Sequence, residues 1–140
     1  MRFVHLLMVL CVAYGSYHFW QQHQISRQIR AATDESGFIE MPTPDGQDQT
    51  IVYVIAAENC PHEDAQRADR LAAALSEEHI PVQRSHHVGF SAIHDNAEAA
   101  RVNTVMNGEL PIVFVHGRAK SNPTLEDVQN EIKKYTHLFQ

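Results

Sequence analysis

Cysteine is scarce in this 140-residue chain: there are two, Cys11 and Cys60. Cys11 falls inside an apolar N-terminal run, so the rest of the chain has a lone thiol and no internal disulfide framework. Basic residues are also few, 11 Lys and Arg against 17 Asp and Glu, for a formal net charge of −6. That balance argues against nucleic acid as a partner and against electrostatic capture by an anionic membrane surface. The chain has no glycine-rich phosphate loop, no serine nucleophile elbow and no paired-carboxylate motif. Histidine is plentiful at ten residues. Cys60, His62, His86, His87, His94 and His116 invite a metal reading, but no Cys-x-x-Cys or His-x-x-x-His spacing accompanies them, and no metal is expected. The hydrophobic fraction of 44% is enough for a single core.

Apolar character is concentrated first at residues 1–20, MRFVHLLMVLCVAYGSYHFW. Phe3–Tyr14 has the length of a signal-peptide core, and Ala13-Tyr14-Gly15 is an acceptable cleavage site. Alternatively, residues 3–20 form an uncleaved membrane anchor, about 27 Å long as a helix, with Tyr17, Phe19 and Trp20 as an interfacial belt. Cys11 follows Leu10 and so is not a lipoprotein cysteine. Residues 21–50 are rich in glutamine, then carry Pro42, Pro44 and Gly46. They read as a linker of limited order. Within it, Gln21–Ala32 can extend the first helix as a polar stalk, and Phe38–Met41 can add a short edge strand.

The third segment, 51–140, is one domain. Ile51–Ala57 is an uncharged run rich in β-branched residues, the composition of a buried strand. After Cys60-Pro61 the apolar period changes. Ala65, Ala68, Leu71, Ala72 and Leu75 share one face of a helix that runs from Pro61 to about His79. Cys60 therefore stands at a strand-to-helix junction, where unpaired N–H groups and the helix dipole favour thiolate. Glu58, Glu63 and Asp64 oppose that effect, whereas a protonated His62 would assist it. Pro81–His87 follows as a partly polar strand, and 88–94 is a loop. A helix capped by Asp95 or Asn96 runs to about Asn107, with Gly108 placed to end it. Ile112–Val115 is an apolar strand, closed by a connection around Gly117 too short for a parallel crossover. The last helix starts at Asn122-Pro123 or at Thr124, the second option pairing Thr124 with Asp127. Its apolar face is Leu125, Val128, Ile132 and Tyr135.

A buried strand, a short loop, Cys60-Pro61 and a long helix resemble the active-site segment of glutaredoxins and of thioredoxin-fold proteins generally. The order β-α-β-α-β-(β)-α over roughly 51–137 is similar to that fold, and Pro111 stands where the family has its cis-proline. The resemblance implies a thioredoxin-like three-layer α/β/α sandwich with a mixed β-sheet, preceded by the N-terminal hydrophobic helix. Cys60, Pro61 and Pro111 are then the catalytic set, modulated by His62 and Glu63. Four features depart from the family. Glu63 replaces the resolving cysteine, Ala57 replaces the basic residue three positions before Cys60, Glu109-Leu110-Pro111 replaces Thr-Val-Pro, and Asn122-Pro123-Thr124 occupies the region of the family's Gly-Gly turn.

The function this implies is thiol–disulfide exchange through Cys60 alone, as a glutaredoxin-like monothiol protein outside the cytoplasm, in the periplasm if the source is bacterial. The partners are protein thiols or disulfides. No cofactor is expected, and glutathione stays open as a co-substrate because its binding motif is not recognisable. The alternative is a redox-inactive module that binds a protein on the Cys60/Pro111 face.

Overall fold

The computed structural model describes residues 2–57 and 62–138. Among the described residues nine elements follow in order: α1 (Arg2–Ala32), β1 (Ile39–Glu40), β2 (Val52–Ile55), α2 (Glu63–Glu77), β3 (Val82–Ser85), α3 (Asn96–Met106), β4 (Ile112–Val115), β5 (Arg118–Ser121) and α4 (Leu125–Leu138). The five strands form one mixed sheet in the order β1-β5-β4-β2-β3. Strand β2 runs parallel to β3, with α2 making the crossover, and antiparallel to β4.

The central strands are fully buried along their length, as their continuous apolar runs require. Alternate residues of each strand serve opposite faces. On one face Val52, Val54, Val113 and Val115 meet Ala68, Leu71 and Leu75 of α2 and Val128 of α4. On the other, Tyr53, Ile55, Ile112 and Phe114 meet Val105 of α3, with Ile29 and Ala32 at the end of α1 packed against them. The molecule is thus a mixed α/β fold with helices on both sides of the sheet.

Local signals account for most of the boundaries. Asp95 caps α3 by accepting the Glu98 N–H at 2.7 Å. Thr124 and Asp127 form a reciprocal capping box on α4, the second of the two starts the sequence allows. The connection around Gly117 is a two-residue hairpin turn. His116 and Gly117 both have positive φ, the geometry that matches strand twist in such turns. Helix α2 ends in a Schellman motif, with Ile80 N–H donating to Leu75 O at 3.1 Å and His79 N–H to Ser76 O at 3.0 Å.

Two expectations need correction. The segment 21–50 is not of limited order throughout, since α1 continues through it to Ala32. Phe38, Ile39 and Met41 are buried in the core, and Ile39–Glu40 pairs antiparallel with β5 as the sheet's edge. This is the short edge strand that the apolar pattern of Phe38–Met41 allows. The anticipated helix start at Pro61 also shifts, since α2 begins at Glu63 with His62 as its N-cap.

Helix α1 is 31 residues long and continuous. From Phe3 to Trp20 its large apolar side chains are all exposed, Phe3 at 84% and Trp20 at 60%. The helix is long and apolar enough to cross a membrane or to serve as a signal sequence. Past Gln24, Ile25, Ile29 and Ala32 become half-buried, so the polar half of the helix docks on the domain.

Candidate functional site

The sequence places its candidate site in the segment between β2 and α2 and at Pro111. Of its residues, Cys60 and Pro61 fall outside the described residues, together with Glu58 and Asn59. His62 has an extended backbone at the N-cap of α2, makes no side-chain capping bond and is exposed. Its carbonyl accepts the Gln66 N–H, closing the first turn. Glu63 and Asp64 occupy that turn, where negative charge complements the helix dipole.

Pro111 is buried immediately before β4, and the Leu110–Pro111 peptide is cis. Two contacts define its surroundings. Arg67 of α2 donates from Nη2 to the Leu110 carbonyl at 3.1 Å and is ion-paired with Asp64. Asn122 donates its N–H to the Pro111 carbonyl at 2.7 Å and its side-chain amide to Glu109 Oε2 at 2.9 Å. The acid at Glu109, out of place against the glutaredoxin pattern, thus fixes the turn between β5 and α4. Asn122 supplies the positive φ of that turn, a conformation asparagine tolerates well.

Between α2 and the start of α4 lies a groove of 380 Å³. Pro111, Leu71, Ala74, Pro123 and Leu125 give it apolar walls, and Arg67 and Arg70 are its charged residues. Neither arginine was singled out in the sequence. The available signal was their three-residue spacing on α2, with Asp64 three residues before Arg67.

A second concentration of charge joins the segment after α1 to β5 and α4. Glu131 is completely buried. Its Oε2 accepts from Ser36 Oγ at 3.0 Å and Lys134 Nζ at 3.1 Å, and its Oε1 lies 3.6 Å from Arg118 Nε without a hydrogen bond. Asp34 accepts from Lys134 Nζ at 2.6 Å, Ser36 Oγ at 2.7 Å and the Phe38 N–H at 2.9 Å. Burial alone would raise the Asp34 pKa, but these hydrogen bonds, Lys134 foremost, hold it well below the usual carboxylate range. Arg118 donates to the carbonyls of Ala32, at 3.3 Å, and Phe38, at 3.1 Å. A cation thereby sits at the C-terminus of α1, where the dipole favours it. The cluster secures the join between α1 and the sheet.

Among the described residues, no three His, Cys, Asp or Glu side chains come together as a metal-ligand set. His116 instead packs its ring on Tyr135 at 4.6 Å between centroids. No known family model, curated protein or solved structure matches this chain.

Proposed function

We propose that the chain is a thioredoxin-like, glutaredoxin-related thiol protein, exported or held at a membrane by α1, that exchanges disulfides through Cys60. The observation that carries this reading is the contact of Arg67 with the Leu110 carbonyl. It brings the first turns of α2, directly after Cys60-Pro61, against Pro111, the pairing on which the resemblance rests. The cis peptide before Pro111 and the β-α-β-α-β-β-α order from β2 to α4 support it.

In the proposed reaction the Cys60 thiolate attacks one sulfur of a substrate disulfide. The S–S bond breaks, one sulfur leaves as a thiolate, and the other remains joined to Cys60. With Glu63 in place of a second cysteine, an external thiol must attack this mixed disulfide and return Cys60 as thiolate. A protein thiol or glutathione fits that role. That attack leaves the external sulfur bonded to the retained half of the substrate, and a second external thiol frees this half, so the two electrons come from two external thiols, which end as a disulfide. His62 and Glu63, at the helix start, set the charge around the sulfur.

Iodoacetamide alkylation of Cys60 against pH is the direct test. An active site should titrate below about 7.5, under the ~8.5 of an unperturbed thiol. Mixed disulfides trapped from extracts should be lost in Cys60→Ser. A thiol that titrates at or above the reference, with nothing trapped, rejects exchange. The second reading, a redox-inactive interaction module, is favoured by Glu63 standing where the resolving cysteine would be and by the open groove at Pro111.

A further inference from the structure

The groove beside Pro111 has a charge that contrasts with the whole chain. The protein carries a net charge of −6, yet the charged residues lining these 380 Å³ are Arg67 and Arg70. Arg67 is committed to Asp64 and to the Leu110 carbonyl. Arg70, one helical turn further along α2, is exposed and has no ion-pair or hydrogen-bond partner among the described residues. The walls between them are apolar: Leu71, Pro111, Pro123 and Leu125. An open groove of this kind suits an extended chain segment whose apolar side chains cover the walls while an acidic side chain meets Arg70.

We infer that this groove is the docking site for an acidic, partly apolar peptide segment of a partner protein, with Arg70 as the specificity-determining cation. The inference rests on the Pro111 face being the working surface, and it gives that face a substrate class. A partner disulfide or thiol would be held beside Cys60 by its acidic flank. Electrostatic recognition of this sort governs choice of partner and encounter rate, and it weakens with salt.

The test uses the full chain in neutral-lipid nanodiscs and a short fluorescein-labelled peptide alternating glutamate and valine. Fluorescence anisotropy should show binding of this peptide, about tenfold weaker binding of its glutamine counterpart, and none of its lysine counterpart. Arg70→Glu should weaken binding of the glutamate peptide by at least about tenfold. Arg70→Lys, which keeps the charge, should retain most of it. Arg70 is exposed and has no partner among the described residues, so the Arg70→Glu protein should melt at the wild-type temperature, which separates a lost site from a lost fold. Equal binding of the glutamate and glutamine peptides, or an Arg70→Glu protein that binds as wild type, would overturn the inference. Alkylation of Cys60, followed on the same samples, keeps the two readings apart. An inert thiol with intact peptide binding rejects exchange and leaves the groove, whereas a reactive thiol without peptide selectivity does the reverse.

Discussion

Arg67 reaches from α2 to the carbonyl of Leu110 across 3.1 Å, tying the helix that follows Cys60 to the residue preceding Pro111. A hydrogen bond from a charged donor to a backbone carbonyl contributes roughly 1.5–3 kcal/mol, toward the lower end where the donor is partly exposed. Arg67→Met keeps the aliphatic stem and removes both the bond and the Asp64 pair. It should lower unfolding stability by about 1–2 kcal/mol, measured as a shifted urea midpoint at unchanged slope. An unchanged midpoint would mean that α2 and β4 hold together without this contact.

Gly108 makes a second prediction through what it lacks. A Cβ placed there would overlap Ser121 Oγ and stand 2.5 Å from Ser121 Cβ. Because Ser121 Cβ is fixed to β5, the clash cannot be relieved by rotating a side-chain tip. Gly108→Ala should destabilise the fold by about 1–3 kcal/mol through overpacking. Pairing it with Ser121→Gly, which clears both atoms, should recover part of the loss in a thermal melt.

His79 offers a change in the opposite direction. It closes the Schellman motif of α2 with a φ of 62°, a region that costs a side-chain-bearing residue about 1 kcal/mol. His79→Gly should therefore raise stability by about 0.5–1 kcal/mol, read as a higher melting temperature. His79 is exposed, so no packing is lost to offset the gain.

The cluster around Glu131 should appear in the pH dependence of folding. The folded-state pKa of Asp34 lies below its unfolded value, so its stabilisation is fully present above about pH 4 and is lost as pH falls through the depressed value. Lys134 behaves in the opposite sense. Hydrogen bonding to Asp34, set against partial burial, raises its pKa, so its contribution is present below about pH 10.4 and is lost as pH rises through the raised value. Asp34→Asn should cost about 1–3 kcal/mol at pH 7, and the gap to wild type should narrow in acid. A gap that stays constant from pH 7 to about pH 3 would reject the assignment.

The elements that could be read from the sequence are those whose signal is local. The apolar runs of β2 and β4, the periodic faces of α2 and α4, and the caps at Asp95 and Thr124 each depend on neighbours a few residues away. Strand β1 was visible only as the apolar pattern of Phe38–Met41, and its burial depends on β5, about 80 positions later. Glu131 reads as a surface acid on α4, because its partners Ser36 and Arg118 come from distant parts of the chain. The groove escaped for the same reason. Arg67 and Arg70 look like an ordinary solvated helix face until Pro111 and Pro123 are folded against them. Cys60 and Pro61 were the chief sequence candidates, and they lie outside the described residues.

The unbroken course of α1 has a consequence for how the domain can meet anything. Only Gln21–Gln24 separate Trp20 from Ile25, the first helix residue to be half-buried, and four residues of helix span about 6 Å. With Phe3–Trp20 in a bilayer, the folded domain would sit within about one helical turn of the headgroups. The buried Glu131 cluster and Arg118 on the Ala32 carbonyl would prevent it from swinging about that helix. A molecule so anchored would not search a volume. It would patrol a sheet of fluid at a fixed height and pitch, meeting other membrane-borne proteins by lateral diffusion and free ones only from the side left open to the water.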